Sequence, residues 1–158
     1  LGGLNMINDW LTSPIDEVEV QSDVSYRGGK ALRLNEATAW HGFEDASATN
    51  VWVDFYAMPV QRASDPTMPD AATAGFYVNT SGRIVAYSNT TWVTLSDAVT
   101  ISADTWYRFT LNLDYDARKW GIYVASDAAN ALSTTLVTNL TMNNAASSTN
   151  FTSFRMKN

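Results

Sequence analysis

The sequence contains no cysteine and a single histidine, His41. Without cysteine there can be no disulfide framework and no thiolate metal site, and one imidazole with no thiolate cannot assemble a zinc centre. Charge is also scarce. Asp, Glu, Lys and Arg together make 16% of the 158 residues, against about a quarter in an average domain. No basic cluster occurs, and the net charge is −6, so a nucleic-acid partner is not expected. The same balance argues against anionic membrane surfaces. No apolar run nears the roughly 20 residues of a helical membrane span, so membrane insertion is not expected. Nor does any window of a dozen residues carry apolar side chains at helical spacing. The first residue, Leu1, is what a processed mature chain or an excised module would show.

What is present is alternation. The hydrophobic fraction is 46% and aromatics reach 12%, enough to fill a core. In "WYRFTLNLDY" (106–115) the odd positions Tyr107, Phe109, Leu111, Leu113 and Tyr115 form a core face. The even positions Trp106, Arg108, Thr110, Asn112 and Asp114 face the other way. A hairpin returning through "KWGIYV" (119–124) is expected to pair Tyr115 with Trp120. That register sets Leu113 against Ile122, Leu111 against Val124, and Asn112 against Tyr123.

Further strands are expected at "DEVEV" (16–20), "KALRLN" (30–35), "NVWVDFYAMPV" (50–60), "TTWVTLS" (90–96), "VTISAD" (99–104) and "NFTSFRMKN" (150–158). "RGG" (27–29) reads as a turn, "GFYVNTSGRIVAYS" (75–88) as a hairpin about Thr80–Gly82, and "ALSTTLVTNLTM" (131–142) as an irregular strand region. The longest loop spans residues 61–75. Many short strands and no helix give one all-β domain over residues 1–158, a two-layer antiparallel sandwich.

The order of these pieces resembles the concanavalin A-like superfamily, and within it the laminin-G-like jelly rolls of secreted bacterial proteins. An early Trp10 precedes Val18 and Val20; "RGGKALRL", "VWVDFYAMPV", "FYVNTSGRIVAY" and Trp92 follow in turn. The penultimate hairpin carries Trp106, Arg108, Thr110, Leu111, Asp114, Trp120, Tyr123 and Val124, and "FTSFRM" closes the chain. The resemblance implies a jelly-roll sandwich in an extracellular or cell-surface setting. It does not select a function, because the superfamily includes lectins, glycosidases, adhesion domains and scaffolds.

Catalysis is not expected. Retaining glycosidases need two carboxylates flanking one bond, and the Glu-x-Asp-x-x-Glu run of the superfamily's enzymes is missing. Glu17 and Glu19 share a face near the N-terminus, where charge protects an edge; Glu44 and Asp45 are adjacent and would diverge in an extended chain. His41, in "TAWHGFED", reads as a loop residue without a nucleophile motif beside it. No cofactor is required by anything in the sequence. Calcium is the one metal the donors would suit, through Asp114 and Asp116, with Asp65 and Asp70 in the long loop.

The outward face of the 106–124 hairpin supplies the candidate site. With Trp52, Asp54 and Tyr56 from the 50–60 strand it gathers Arg108, Asn112 and Tyr123; Trp92 and Trp40 are additional aromatics outside the main runs. Flat aromatic rings stack on the C–H faces of sugars while Asn, Asp and Arg hydrogen-bond hydroxyls. The reading is therefore a non-catalytic, lectin-like module whose partner is a glycan or polysaccharide. The alternative is a structural or adhesive subunit of a surface layer or filament, associating with itself through sheet edges.

Overall fold

The computed structural model describes residues 9–26, 28–43, 47–95, 99–126 and 134–158. The Arg27 turn position, Glu44, Asp45 and the start of the 131–142 region lie outside the described residues. Among the described residues, apart from one short 3-10 turn, Ile15–Glu17, all regular structure is strand. The chain is all-β and its sheets are antiparallel, save one two-residue parallel pairing.

Two compact units are present. The first holds β1 (Trp10–Ser13), β2 (Val18–Gln21), β3 (Ala31–Leu34), β4 (Thr38–Gly42) and the last strand, β13 (Ser153–Lys157). β4 is the middle of a three-stranded sheet between β1 and β13, and β2 pairs with β3. As alternation implies, Val18 opposes Leu34 and Val20 opposes Leu32. Val18, Ala37 and Ala39 form the small core, with Trp10, Leu32, Leu34 and Met156 packed on it. His41 and Trp40 are strand residues, not loop residues: both lie on β4. Five residues with apolar and polar side chains mixed carry too little period to be read as a strand.

The second unit holds β5 (Asn50–Ala57), β6 (Gln61–Arg62), β7 (Phe76–Asn79), β8 (Ile84–Ser88), β9 (Thr91–Thr94), β10 (Tyr107–Asp114), β11 (Lys119–Ser126) and β12 (Thr134–Thr141). These form two four-stranded sheets, in the orders β12-β11-β10-β5 and β6-β7-β8-β9. Phe109, Leu111, Leu113, Ile122 and Val124 from the first sheet share one core with Val78, Ile84 and Ala86 from the second. Phe109 touches Phe55 on its own sheet at 5.7 Å between centroids and Phe76 on the facing sheet at 5.2 Å. The indole Nε1 of buried Trp120 donates to Tyr87 O at 3.2 Å, joining β11 to β8. This is a two-layer sandwich.

The β10–β11 hairpin keeps its faces but not its expected register. Leu113 opposes Trp120, Leu111 opposes Ile122 and Thr110 opposes Tyr123, two residues away from the alignment the sequence suggested. The turn has the expected four residues but starts one position earlier: Tyr115–Arg118 form it, and Asp114 pairs with Lys119. Asp114 Oδ1 accepts from Ala117 N at 2.9 Å, and Arg118 takes φ +55°. Arg118 is held there by donating to Asn143 O, Ala146 O and Ser148 O at 2.8–3.0 Å. Since side chains alternate with period two, a two-residue slip moves no residue to the other face.

The expected strand at 99–104 is also corrected. Residues 99–102 join no ladder; Ile101, fully buried, donates from its backbone to Gly82 O at 2.8 Å and accepts from Gln61 Nε2 at 3.0 Å. Gly82 closes the β7–β8 turn with φ +72°, and a Cβ there would lie 2.6 Å from Ile101 O. We expect Gly82→Ala to cost about 1–2 kcal/mol for left-handed backbone and about 1–3 kcal/mol for displacing the Ile101 segment. A thermal melt would register this at roughly 2–4 °C of Tm for each kcal/mol.

Candidate functional site

The site is built on β10, because β10 is flanked on both sides. β5 runs antiparallel on one edge, with Asn112 opposite Trp52, Thr110 opposite Asp54 and Arg108 opposite Tyr56. β11 runs antiparallel on the other, with Thr110 opposite Tyr123. Core-facing Val51, Val53, Phe55, Phe109, Leu111 and Leu113 fix which side is outward. Trp52, Asp54, Tyr56, Arg108, Asn112 and Tyr123 therefore share one outer face.

Three features define that face. Trp52 is 60% exposed and Tyr56 40% exposed, large fractions for aromatic side chains on a strand. Trp52 also meets Tyr123 across β10, with ring centroids 5.6 Å apart and planes tilted by 38°. Arg108 grips Asp54: Nε lies 2.9 and 3.0 Å from its two oxygens and Nη2 2.7 Å from Oδ2. Thr110 Oγ1 donates to Asp54 Oδ1 at 2.7 Å, and Asn112 Nδ2 donates to Asn50 Oδ1 at 3.0 Å.

The Arg108 hydrogen bonds hold Asp54 below its ordinary carboxyl pKa; partial burial opposes this, and Thr110 and the guanidinium charge add to it. The pair is thus intact from neutral pH down through the usual carboxylate range, and its contribution is lost as pH falls through the lowered value. Being solvent-facing, it contributes only about 0.2–1 kcal/mol to stability. Its larger effect is to fix two side chains in place.

Charge on this face cancels. Arg108 answers Asp54, and Lys119 opposes Asp114 on neighbouring strands at its end. Lys119 Nζ donates to Thr141 Oγ1 at 2.8 Å. Asp114 caps its own turn, while Asp116 accepts from Thr49 Oγ1 at 2.7 Å. Asp65 accepts from Tyr77, and the Asp70 carbonyl accepts from Asn143 Nδ2. Among the described residues, no group of three or more His, Cys, Asp or Glu stands together as a metal site would. Near the N-terminus, Glu17 accepts from Asn35 and Glu19 pairs with Arg33.

Trp92 is not with the others. It lies on β9, on the second sheet, with Tyr77 and Tyr87 edge-on to it at 5.2 and 5.0 Å. Its Nε1 donates to Pro66 O at 3.0 Å, so the long 63–75 loop is pinned to its ring edge. Tyr77 Oη donates to Asp65 Oδ1 of the same loop at 2.5 Å. Removal from water, then that bond and the charge behind it, push the Tyr77 phenol up to about 12, with Arg62 pulling the other way. A raised phenol stabilises the fold below its ordinary value near 10 and ceases to as pH rises through about 12. An ultraviolet phenolate titration should lose one late step in Tyr77→Phe.

Asn50 is the site residue that sequence reading missed, though it lies two positions before Trp52 in the same alternation. The other omission is the knot that stiffens this unit's loops. Buried Asn143 donates from Nδ2 to Ala72 O at 2.9 Å and accepts from Ala145 N at 3.1 Å. Nothing in "NNAASST" announced it.

No family model, curated protein or solved structure matches this chain. Among the described residues, no helix is long and apolar enough to cross a membrane.

Proposed function

We propose that this chain is a non-catalytic carbohydrate-binding module that holds glycan on the outer β5–β10–β11 face. The observation that carries the reading is the Trp52 ring, mostly in water yet braced against Tyr123. A solvated indole held in one orientation offers a flat apolar surface with little conformational freedom left to lose. Asn50, Asn112, Thr110 and the Arg108–Asp54 pair surround it with the hydrogen-bonding groups that sugar hydroxyls require. Asp54 is tied to Arg108 and Thr110 and so is held as part of the platform. The laminin-G-like resemblance agrees, and with it an extracellular or cell-surface location. The reading includes no metal.

The test is binding of the purified chain to immobilised neutral polysaccharides (cellulose, xylan, mannan), with a Trp52→Ala/Tyr123→Ala double variant as control. Retention of the wild type and release of the folded double variant are expected. Equal retention of both would remove this face as the binding site.

One observation favours a second reading, that of a structural or adhesive subunit. β5 is eight residues long and ends its sheet, with β10 its only ladder partner among the described residues. Such an edge can accept a further strand from another copy. Size-exclusion chromatography decides: a monomer at high concentration would count against it.

A further inference from the structure

We infer that the ligand of this face is an extended, uncharged oligosaccharide lying along β5, from the Trp52–Tyr123 pair at one end to Tyr56 at the other. This rests on the carbohydrate-binding reading and goes further, to the length, direction and charge of what is bound. Trp52 and Tyr56 are four residues apart on one strand and both face outward. At the rise of an extended chain their attachment points are roughly 13 Å apart. One sugar ring covers one aromatic ring, so a monosaccharide would use one end and leave the other in water. A short extended chain reaches both.

What lies between the two rings limits the charge. Asp54 occupies the intervening outward position on β5, and Arg108, opposite Tyr56, neutralises it through three close contacts. Lys119 and Asp114 face each other beyond the Trp52 end. A polyanionic glycan would meet no excess positive charge along this path and would approach a chain of net charge −6. A cationic one would meet no excess carboxylate there. A neutral chain loses nothing by the cancellation, and its hydroxyls suit the amides and the hydroxyl on β10.

The experiment titrates the full chain with neutral ladders (cello-, xylo- and manno-oligosaccharides, monomer to hexamer) and with an anionic ladder of oligogalacturonides, by calorimetry. Affinity for at least one neutral ladder should rise about tenfold or more with length, and the anionic ladder should bind more weakly. Tyr56→Ala should flatten the rise while leaving dimer affinity within about twofold; Trp52→Ala should lower affinity at every length. Trp52-dependent binding that is independent of length, unaffected by Tyr56→Ala, or stronger for the anionic ladder would overturn the inference and leave the carbohydrate reading standing. Failure of every ladder to bind would overturn both. Circular dichroism of each variant separates loss of site from loss of fold.

Discussion

Trp52→Ala should weaken binding to a neutral polysaccharide by about 30-fold, or about 2 kcal/mol, the scale of a truncated aromatic hot spot. The same variant should melt with the wild type. The two halves of this expectation have one cause. Trp52 is 60% exposed and its ring leans on that of Tyr123, so alanine opens no cavity and removes little buried area. Its binding contribution is all in the surface it presents, and that surface disappears. Isothermal titration alongside a thermal melt reads both halves. If stability falls by several kcal/mol and affinity does not move, Trp52 is a packing residue and the face is not a binding platform.

Trp120→Ala should do the reverse, costing about 3–5 kcal/mol of stability. That is a large share of the roughly 5–15 kcal/mol that holds an ordinary domain together. Trp120 is 1% exposed, fills space between the sheets and donates to Tyr87 O. Alanine therefore leaves a void and an unpaired carbonyl together. Trp120→Phe separates these contributions: most of the packing remains, while the Tyr87 carbonyl loses its donor at a cost of about 1–3 kcal/mol. Urea unfolding of the three proteins measures both steps. A phenylalanine variant as unstable as the alanine variant would assign the whole effect to the hydrogen bond.

How much of this was legible beforehand follows from the physics of alternation. Period two sorts side chains between faces whatever the register, so the outward set Trp52, Asp54, Tyr56, Arg108, Asn112 and Tyr123 survived a two-residue error in pairing. What alternation cannot see is where a turn begins. The αL conformation of Arg118, with its bonds to the 143–148 segment, sets the turn at 115–118 rather than 116–119, and no Gly or Asn marked that position. Nor does alternation separate a strand from a segment held outside any ladder, as at Ile101. Trp92 was expected on a short strand outside the main runs, and it lies on β9; what alternation could not give is its surroundings, which the loop folding back through Pro66 determines. β4 escaped because its sequence alternates too briefly to register.

Asp54 and Arg108 are 54 residues apart, whereas β10 and β11 are joined by a four-residue turn. During synthesis at about 5–20 residues per second, β5 therefore waits roughly 3–10 s for the strand that pairs with it. The hairpin can close at once on emerging, but the surface bearing Trp52 exists only after that long-range docking. In that interval Val51, Val53 and Phe55 have no sheet to cover them, so recombinant yield should depend on growth temperature more steeply than the stability of the finished molecule would suggest.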